Sequence, residues 1–200
     1  MKYLFCFFGM LVGFQHICAQ KLIKKSILNA DISHVQIDVN NCFKIDLETS
    51  DGDELVIEAQ IDGEYKKDLL LNVSEEGSTI LVSTDFQPSF LKPNDKLSAH
   101  KVISISLKVK LPKQKNVHVF GASCNVAATG SYGLLKVSLN DGRCDLVNIS
   151  ETAEVATQSG TISVRYSKAT IKAQSKYGKV NELRFIRSAC INDIKSVESE

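Results

Sequence analysis

The chain has 200 residues, with 24 lysines and arginines against 23 aspartates and glutamates. This length fits one domain with a sizeable core. Residues 1–20 hold one charged residue, Lys2, so the remainder carries 23 charges of each sign (24 less Lys2, against 23). A balanced chain lacks the basic footprint of a general nucleic-acid binder, and it gives no polybasic reason to bind anionic lipid. We therefore expect no nucleic-acid partner.

Residues 1–20 have the layout of a secretory signal peptide. Lys2 gives a positive start, an apolar run extends from Tyr3 to Phe14, and small residues precede Gln20. The run is shorter than the roughly 20 residues of a membrane span. We expect cleavage near Gln20, no membrane span in the mature chain, and a periplasmic, cell-surface or extracellular location. An uncleaved anchor and lipidation at Cys18 are the alternatives.

Up to Pro112, short segments alternate apolar and polar residues with period two, which predicts half-buried strands. These segments are residues 35–39, 43–48, 54–61, 69–73, 79–83 and 102–111. Turn signals around Gly52, Gly63 and Gly77 separate several of them. Residues 86–101 contain two prolines and are predicted to form a long loop. No segment has a convincing helical period.

An 18-residue repeat follows Pro112. Small or apolar residues recur at this spacing in four columns: Val117, Leu135, Ala153 and Ile171; Val119, Val137, Val155 and Ala173; Val126, Cys144, Ile162 and Val180; and Gly142, Gly160 and Gly178. Such phasing indicates stacked coils, because one coil buries its apolar face only when a neighbour covers it. We predict an all-β fold, a parallel β-helix or β-solenoid with 18-residue coils in the C-terminal half, whose core the N-terminal strands extend.

The predicted organisation has four parts: a signal peptide (1–20), an N-terminal β region (21–112), regular coils (113–189) and a polar tail (190–200). Within the coils, residues between the apolar columns should face outward and stack one strand spacing apart. One outward column contains His118, Lys136, Glu154 and Lys172, whose last three charges alternate in sign. Alternation of this kind favours the stacked register.

Four cysteines lie outside the signal peptide, namely Cys42, Cys124, Cys144 and Cys190. An even number in an exported chain suggests disulfides. The repeat aligns Cys144 with Val126, however, which places the α-carbons of Cys124 and Cys144 about 8 Å apart, beyond the reach of about 7 Å for a disulfide. Buried free thiols are therefore the favoured interpretation, and disulfide formation stays open.

Three stretches of the chain resemble the putative adhesin family with a head-GIN-type domain, a family of exported bacterial β-solenoid proteins of unknown function. The first comprises residues 43–47, 53–57 and 77–82; the second comprises residues 105–112 and 117–123; the third contains the glycines Gly142, Gly160 and Gly178. Cys124 departs from the pattern because it stands where a corner glycine is expected. The resemblance implies a surface-attachment role and no catalytic residue.

No motif for catalysis, metal binding or a cofactor is present in the sequence. Parallel β-helices can carry polysaccharide-cleaving sites built from stacked acidic and basic residues on one outer wall. The residues that would form such a wall here are Arg143, Asp145, Arg165 and Lys179. A solvated face of ordinary charge content is the simpler explanation. We retain these four residues as a candidate binding wall.

The sequence favours an exported, non-enzymatic β-solenoid that acts as an adhesin-like binding or structural module of the cell envelope. A glycan or an envelope protein is the expected partner. The alternative is a carbohydrate-active enzyme, a polysaccharide lyase or hydrolase, on the same scaffold. A cleft with two carboxylates within about 10 Å of each other would favour the enzyme, and a flat wall would favour the module.

Overall fold

The computed structural model describes residues 21–28, 31–63, 66–90, 103–166 and 169–184. The predicted signal peptide, the polar tail, Cys190 and most of the predicted loop lie outside these residues. The described chain is all-β, and its thirteen strands are β1 (Lys21–Leu28), β2 (His34–Asp38), β3 (Lys44–Ser50), β4 (Glu54–Gly63), β5 (Leu69–Glu76), β6 (Thr79–Phe86), β7 (Ile103–Pro112), β8 (Asn116–Ser123), β9 (Asn125–Asp141), β10 (Arg143–Thr157), β11 (Thr161–Tyr166), β12 (Thr170–Ser175) and β13 (Val180–Arg184). No helix that could cross a membrane occurs in this part of the chain.

The 18-residue register is confirmed. Val137 pairs with Val155, and Val155 pairs with Ala173, in parallel ladders. Cys144 pairs with Val126 on one side and with Ile162 on the other. All of these side chains are buried, so the apolar columns line the interior as the repeat requires.

The sheet as a whole is mixed and nearly closed, so the fold is not the parallel β-helix or β-solenoid that the sequence predicted, although the ladders between the C-terminal segments are parallel. β1 and β4, β4 and β7, and β5 and β6 pair antiparallel. These strands lie at the end of the molecule farthest from β12 and β13. Hairpin connections allow antiparallel pairing, and the turn at Gly77 between β5 and β6 is one of them, with a φ of 60°.

The strands form two walls around one core. The first wall contains β1, β4, β7, β3, the first halves of β9 and β10, β11 and β13, in that order. The second wall contains β5, β6, β2, β8, the second halves of β9 and β10, and β12. Thus β9 and β10 each pass from one wall to the other.

The coils do not stack in chain order. β2 lies between β6 and β8, and β3 lies between β7 and β9. The coil formed by β2 and β3 is therefore enclosed by segments that come later in the chain. One hydrophobic cluster includes residues on both sides of Pro112, such as Ile37 and Val119, so the N-terminal strands extend the core of the repeats as predicted.

Gly142, Gly160 and Gly178 occupy the turns, here called corners, where the chain leaves the second wall and enters the first. A Cβ atom on Gly142 would lie 2.1 Å from the carbonyl oxygen of Cys124, and one on Gly178 would lie 2.0 Å from that of Gly160. Each corner therefore packs directly on the backbone of the corner before it. Cys124 stands 18 residues before Gly142 in this column, and its side chain is buried.

Candidate functional site

The outward side chains of the first wall form a grid, because parallel strands in register align their side chains in columns. Asp46, Ala127, Asp145, Ser163 and Asn181 form one column across the wall. The neighbouring column consists of Lys44, Asn125, Arg143 and Thr161. This face is the one on which sequence analysis placed the candidate binding wall.

Of the four candidate residues, the structure brings two into contact. Arg143 Nε lies 2.7 Å from Asp145 Oδ2 on the same strand. Arg165 is opposite Val147 and is displaced along the wall from Arg143. Lys179 precedes β13, whose Val180 pairs with Ile162. All four belong to one wall, but they do not form a single cluster.

A shallow groove of about 340 Å³ crosses the first wall. Ala127 and Thr129 of β9 provide its floor, with Asp46 and Glu48 of β3 on one rim and Asp145 of β10 on the other. We call it the central groove. Its rims belong to strands on either side of β9, so their backbones are two strand spacings apart, about 9.6 Å. The small side chains on β9 create the depression.

Each carboxylate of the central groove contacts a cation. Lys44 Nζ lies 2.8 Å from Asp46 Oδ2, and Lys108 Nζ lies 3.7 Å from Glu48 Oε2. With Arg143 and Asp145, three ion pairs therefore surround the groove. The side chains of Asp46 and Asp145 are 36% and 33% exposed, so solvent screens these pairs and each contributes about 0–1 kcal/mol. Their effect is to fix alternating charges along both rims.

The 18-residue repeat does not identify Asp46, Glu48 or Lys108 as residues of this site. Their strands neighbour the repeats in space but lie outside the 18-residue period. One signal was available, because Lys44-Ile45-Asp46 and Arg143-Cys144-Asp145 share the order basic, apolar, acidic. In both segments the apolar residue is buried and the charged residues face outward.

Three cysteines are buried as free thiols: Cys42, Cys124 and Cys144. Burial raises the pKa of Cys42 to about 11 and that of both Cys124 and Cys144 to about 12. A thiol is nucleophilic only as its thiolate, so none of these three is suited to nucleophilic catalysis. No group of three potential ligands that could hold a metal ion occurs among the described residues.

No family model and no curated protein sequence matches the chain. The fold is similar to that of a putative cell adhesion protein from Clostridium sporogenes ATCC 15579, with a TM-score of 0.55, 10% identity, and coverage of 84% of this chain and 100% of that one. A putative adhesin from Parabacteroides distasonis ATCC 8503 has a TM-score of 0.31, 15% identity, and coverage of 89% and 95%. A putative lipid binding protein from the same organism has a TM-score of 0.28, 14% identity, and coverage of 89% and 97%.

At 10% identity the likeness to the Clostridium protein shows the fold alone, and the two TM-scores below 0.5 support no argument. The Clostridium structure therefore supports the fold and nothing finer.

Proposed function

We propose that this chain is an exported, non-enzymatic binding module of the cell envelope, of the head-GIN adhesin type, in which the parallel coils act as a short β-solenoid. The observation that carries the proposal is the central groove, an open trough with paired charges on both rims and a floor of small side chains. The Clostridium protein of similar fold is described as a putative cell adhesion protein, which supports the same role.

The ligand that suits the central groove best is a glycan. The backbone groups of β3, β9 and β10 are already engaged in parallel ladders, so a peptide cannot add to this face as another strand. Only side chains are available, and those of Lys44, Asp46 and Arg143 offer donors and acceptors in alternation. A hydroxyl-rich chain can hydrogen-bond to both.

One observation favours the enzyme as a second candidate. Asp46 and Asp145 are both opposite Ala127 and flank the central groove, about 9.6 Å apart between α-carbons. Inverting glycosidases hold two carboxyl groups at a comparable separation, about 6.5–9.5 Å. In such enzymes, however, one carboxyl must hold a proton, which burial in an apolar site achieves. Asp46 and Asp145 face solvent and contact cations, an arrangement that suits binding.

The test is a glycan and envelope-protein binding screen, followed by variants of the central groove. Ala127→Phe should fill the floor and abolish binding, and Asp145→Asn should weaken it. Glu154→Gln, which removes an ion-paired carboxylate from the second wall, is the matched control and should have no effect.

The non-enzymatic proposal fails if the protein turns over a polysaccharide and Asp145→Asn stops the turnover. An envelope protein that binds at the groove in place of a glycan would overturn the ligand class.

A further inference from the structure

A second depression, of about 200 Å³, lies on the second wall. Its polar lining comes from three adjacent strands: His34 and Gln36 of β2, Asn116 and His118 of β8, and Lys136 of β9, with Leu134 beside them. We call these six residues the histidine patch. Gln36, His118 and Lys136 form one column, and His34, Asn116 and Leu134 form the next.

The histidine patch contains hydrogen-bond donors and no carboxylate. Ser33 Oγ lies 2.7 Å from His34 Nδ1, and Asn116 Nδ2 lies 3.2 Å from His34 Nε2, so the imidazole is held between two neighbours. The two amides of Gln36 and Asn116 add further donors. This composition is opposite to that of the central groove, where three carboxylates line the site.

Lys136 is the key group of the patch because no carboxylate in the described ranges lies within ion-pair distance of its ammonium. Glu154 is directly opposite Lys136 on the next strand. Its Oε1 atom instead accepts a hydrogen bond from Lys172 Nζ at 3.1 Å, on the far side. Among the described residues, the ammonium of Lys136 therefore has no carboxylate partner, and it lies next to His118 and the amides of Gln36 and Asn116.

We propose that the histidine patch binds the carboxylate of an acidic saccharide, such as a uronate. Lys136 contacts the carboxylate, the amides of Gln36 and Asn116 bind ring hydroxyls, and Leu134 packs against the apolar face of the ring. Arrays of donors with a single apolar contact are suited to an oxygen-rich anion. This site is independent of the central groove, which lies on the other wall.

The site should bind more tightly as the pH falls. Burial, and then the charge of Lys136, lower the pKa of His118. A bound carboxylate offsets the charge of Lys136 and favours the protonated imidazole, so ligand binding and proton uptake are coupled. The other titratable groups facing this position are His34 and Asp38 of β2 and Lys136 of β9. Asp38 Oδ1 accepts a hydrogen bond from the backbone amide of Asn40 at 2.9 Å.

Calorimetric titration of the purified protein with trigalacturonate tests the proposal, with galactotriose as the uncharged probe. Trigalacturonate should bind and galactotriose should not. Lys136→Gln should weaken binding about tenfold, since it removes one hydrogen bond to a charged group. Lys176→Gln changes an exposed lysine that follows β12 and lies outside the patch, so it should have no effect. His118→Gln should retain binding at pH 7.5 and lose its strengthening toward pH 5.5.

Four results would each overturn the assignment. These are failure of trigalacturonate to bind at millimolar concentration, equal binding of galactotriose, an equal loss in Lys176→Gln, and binding of inorganic phosphate without binding of trigalacturonate. Asp145→Asn separates this site from the central groove. If that variant alone abolished trigalacturonate binding, the acidic saccharide would belong to the groove and not to the histidine patch.

Discussion

Val155 shows how strictly one position of the repeat is constrained. It is 2% exposed and in register with Val137 and Ala173. Val155→Asp places an unpaired carboxylate in the core, at a cost of several kcal/mol. Total stability of a domain is about 5–15 kcal/mol, so we expect little soluble, folded protein. Ala156→Asp, an exposed change one residue later, is the control. A thermal melt in which both variants match the unmodified protein would show that Val155 faces outward.

The buried thiols make the stability of the protein sensitive to alkali. The pKa of Cys144 is raised by burial from 9.0 to about 12. Between pH 9.0 and about 12 the unfolded chain loses the thiol proton while the folded protein retains it. The stabilisation by the neutral buried thiol is therefore complete below pH 9.0 and is lost as the pH rises toward 12. We expect the free energy of unfolding to fall over this range.

Cys144→Val isolates the thiol, because valine occupies the same column at Val126 and Val180. Urea unfolding at pH 8 and at pH 10.5 should show a smaller loss of stability in Cys144→Val than in the unmodified protein. Burial also raises the pKa of Tyr132, which acts in the same direction in both proteins. Identical losses would mean that Cys144 ionises freely in the folded state.

At the scale of the coil, the corner glycines set the spacing between layers. A Cβ on Gly160 would lie 2.6 Å from the carbonyl oxygen of Gly142, closer than any van der Waals contact allows. Gly160→Ala should therefore cost roughly 1–3 kcal/mol. Gly52→Ala is the control, since its Cβ would meet nothing within 4 Å. Denaturant midpoints measure both, and equal midpoints would contradict close packing at the corner.

The repeat made the C-terminal coils predictable down to individual pairs. Val137 and Val155 are joined by a single coil, so the period alone identifies them as neighbours. The neighbours of β3 could not be found in this way. Lys44 pairs with Ser106 and Asn125, which are 62 and 81 residues later in the chain, and no period connects them. Alternating apolar residues establish that β3 is a strand but leave its partners undetermined.

The part of the candidate site that lies in the repeat was predictable from the sequence, and the part that lies on β3 was not. Arg143 and Asp145 were identified because both lie in the repeat, and their contact follows from their positions on one face of β10. Asp46 lies on the opposite rim of the central groove because β3 pairs with β9, and its place in the site could be identified only if that pairing were known. Single-sequence patterns contain no information on such long-range pairing, so half of the groove was absent from the prediction.

For the whole molecule, Pro112 is not a boundary between independently folding units. β8 pairs with β2 and β9 pairs with β3, across the predicted division. A fragment of residues 113–200 would expose the edges of β8 and β9 together with core residues such as Val117. We expect the fragment to lack a cooperative thermal transition and to aggregate on size exclusion. A cooperative melt of the isolated fragment would contradict a shared core.

The enclosed coil of β2 and β3 also determines how the molecule resists force. A pull on the C-terminal end first peels the strands from β13 back to β10, each with one remaining neighbour. A pull on the N-terminal end removes β1 and then reaches β2, which is held between β6 and β8. Two ladders must then break together. Tension from the N-terminal side should therefore meet this barrier after one strand, whereas tension from the other end first removes four strands without it, and optical-tweezers traces from each end would resolve the difference. A protein anchored to a surface through its N-terminal side would keep its coils folded under load.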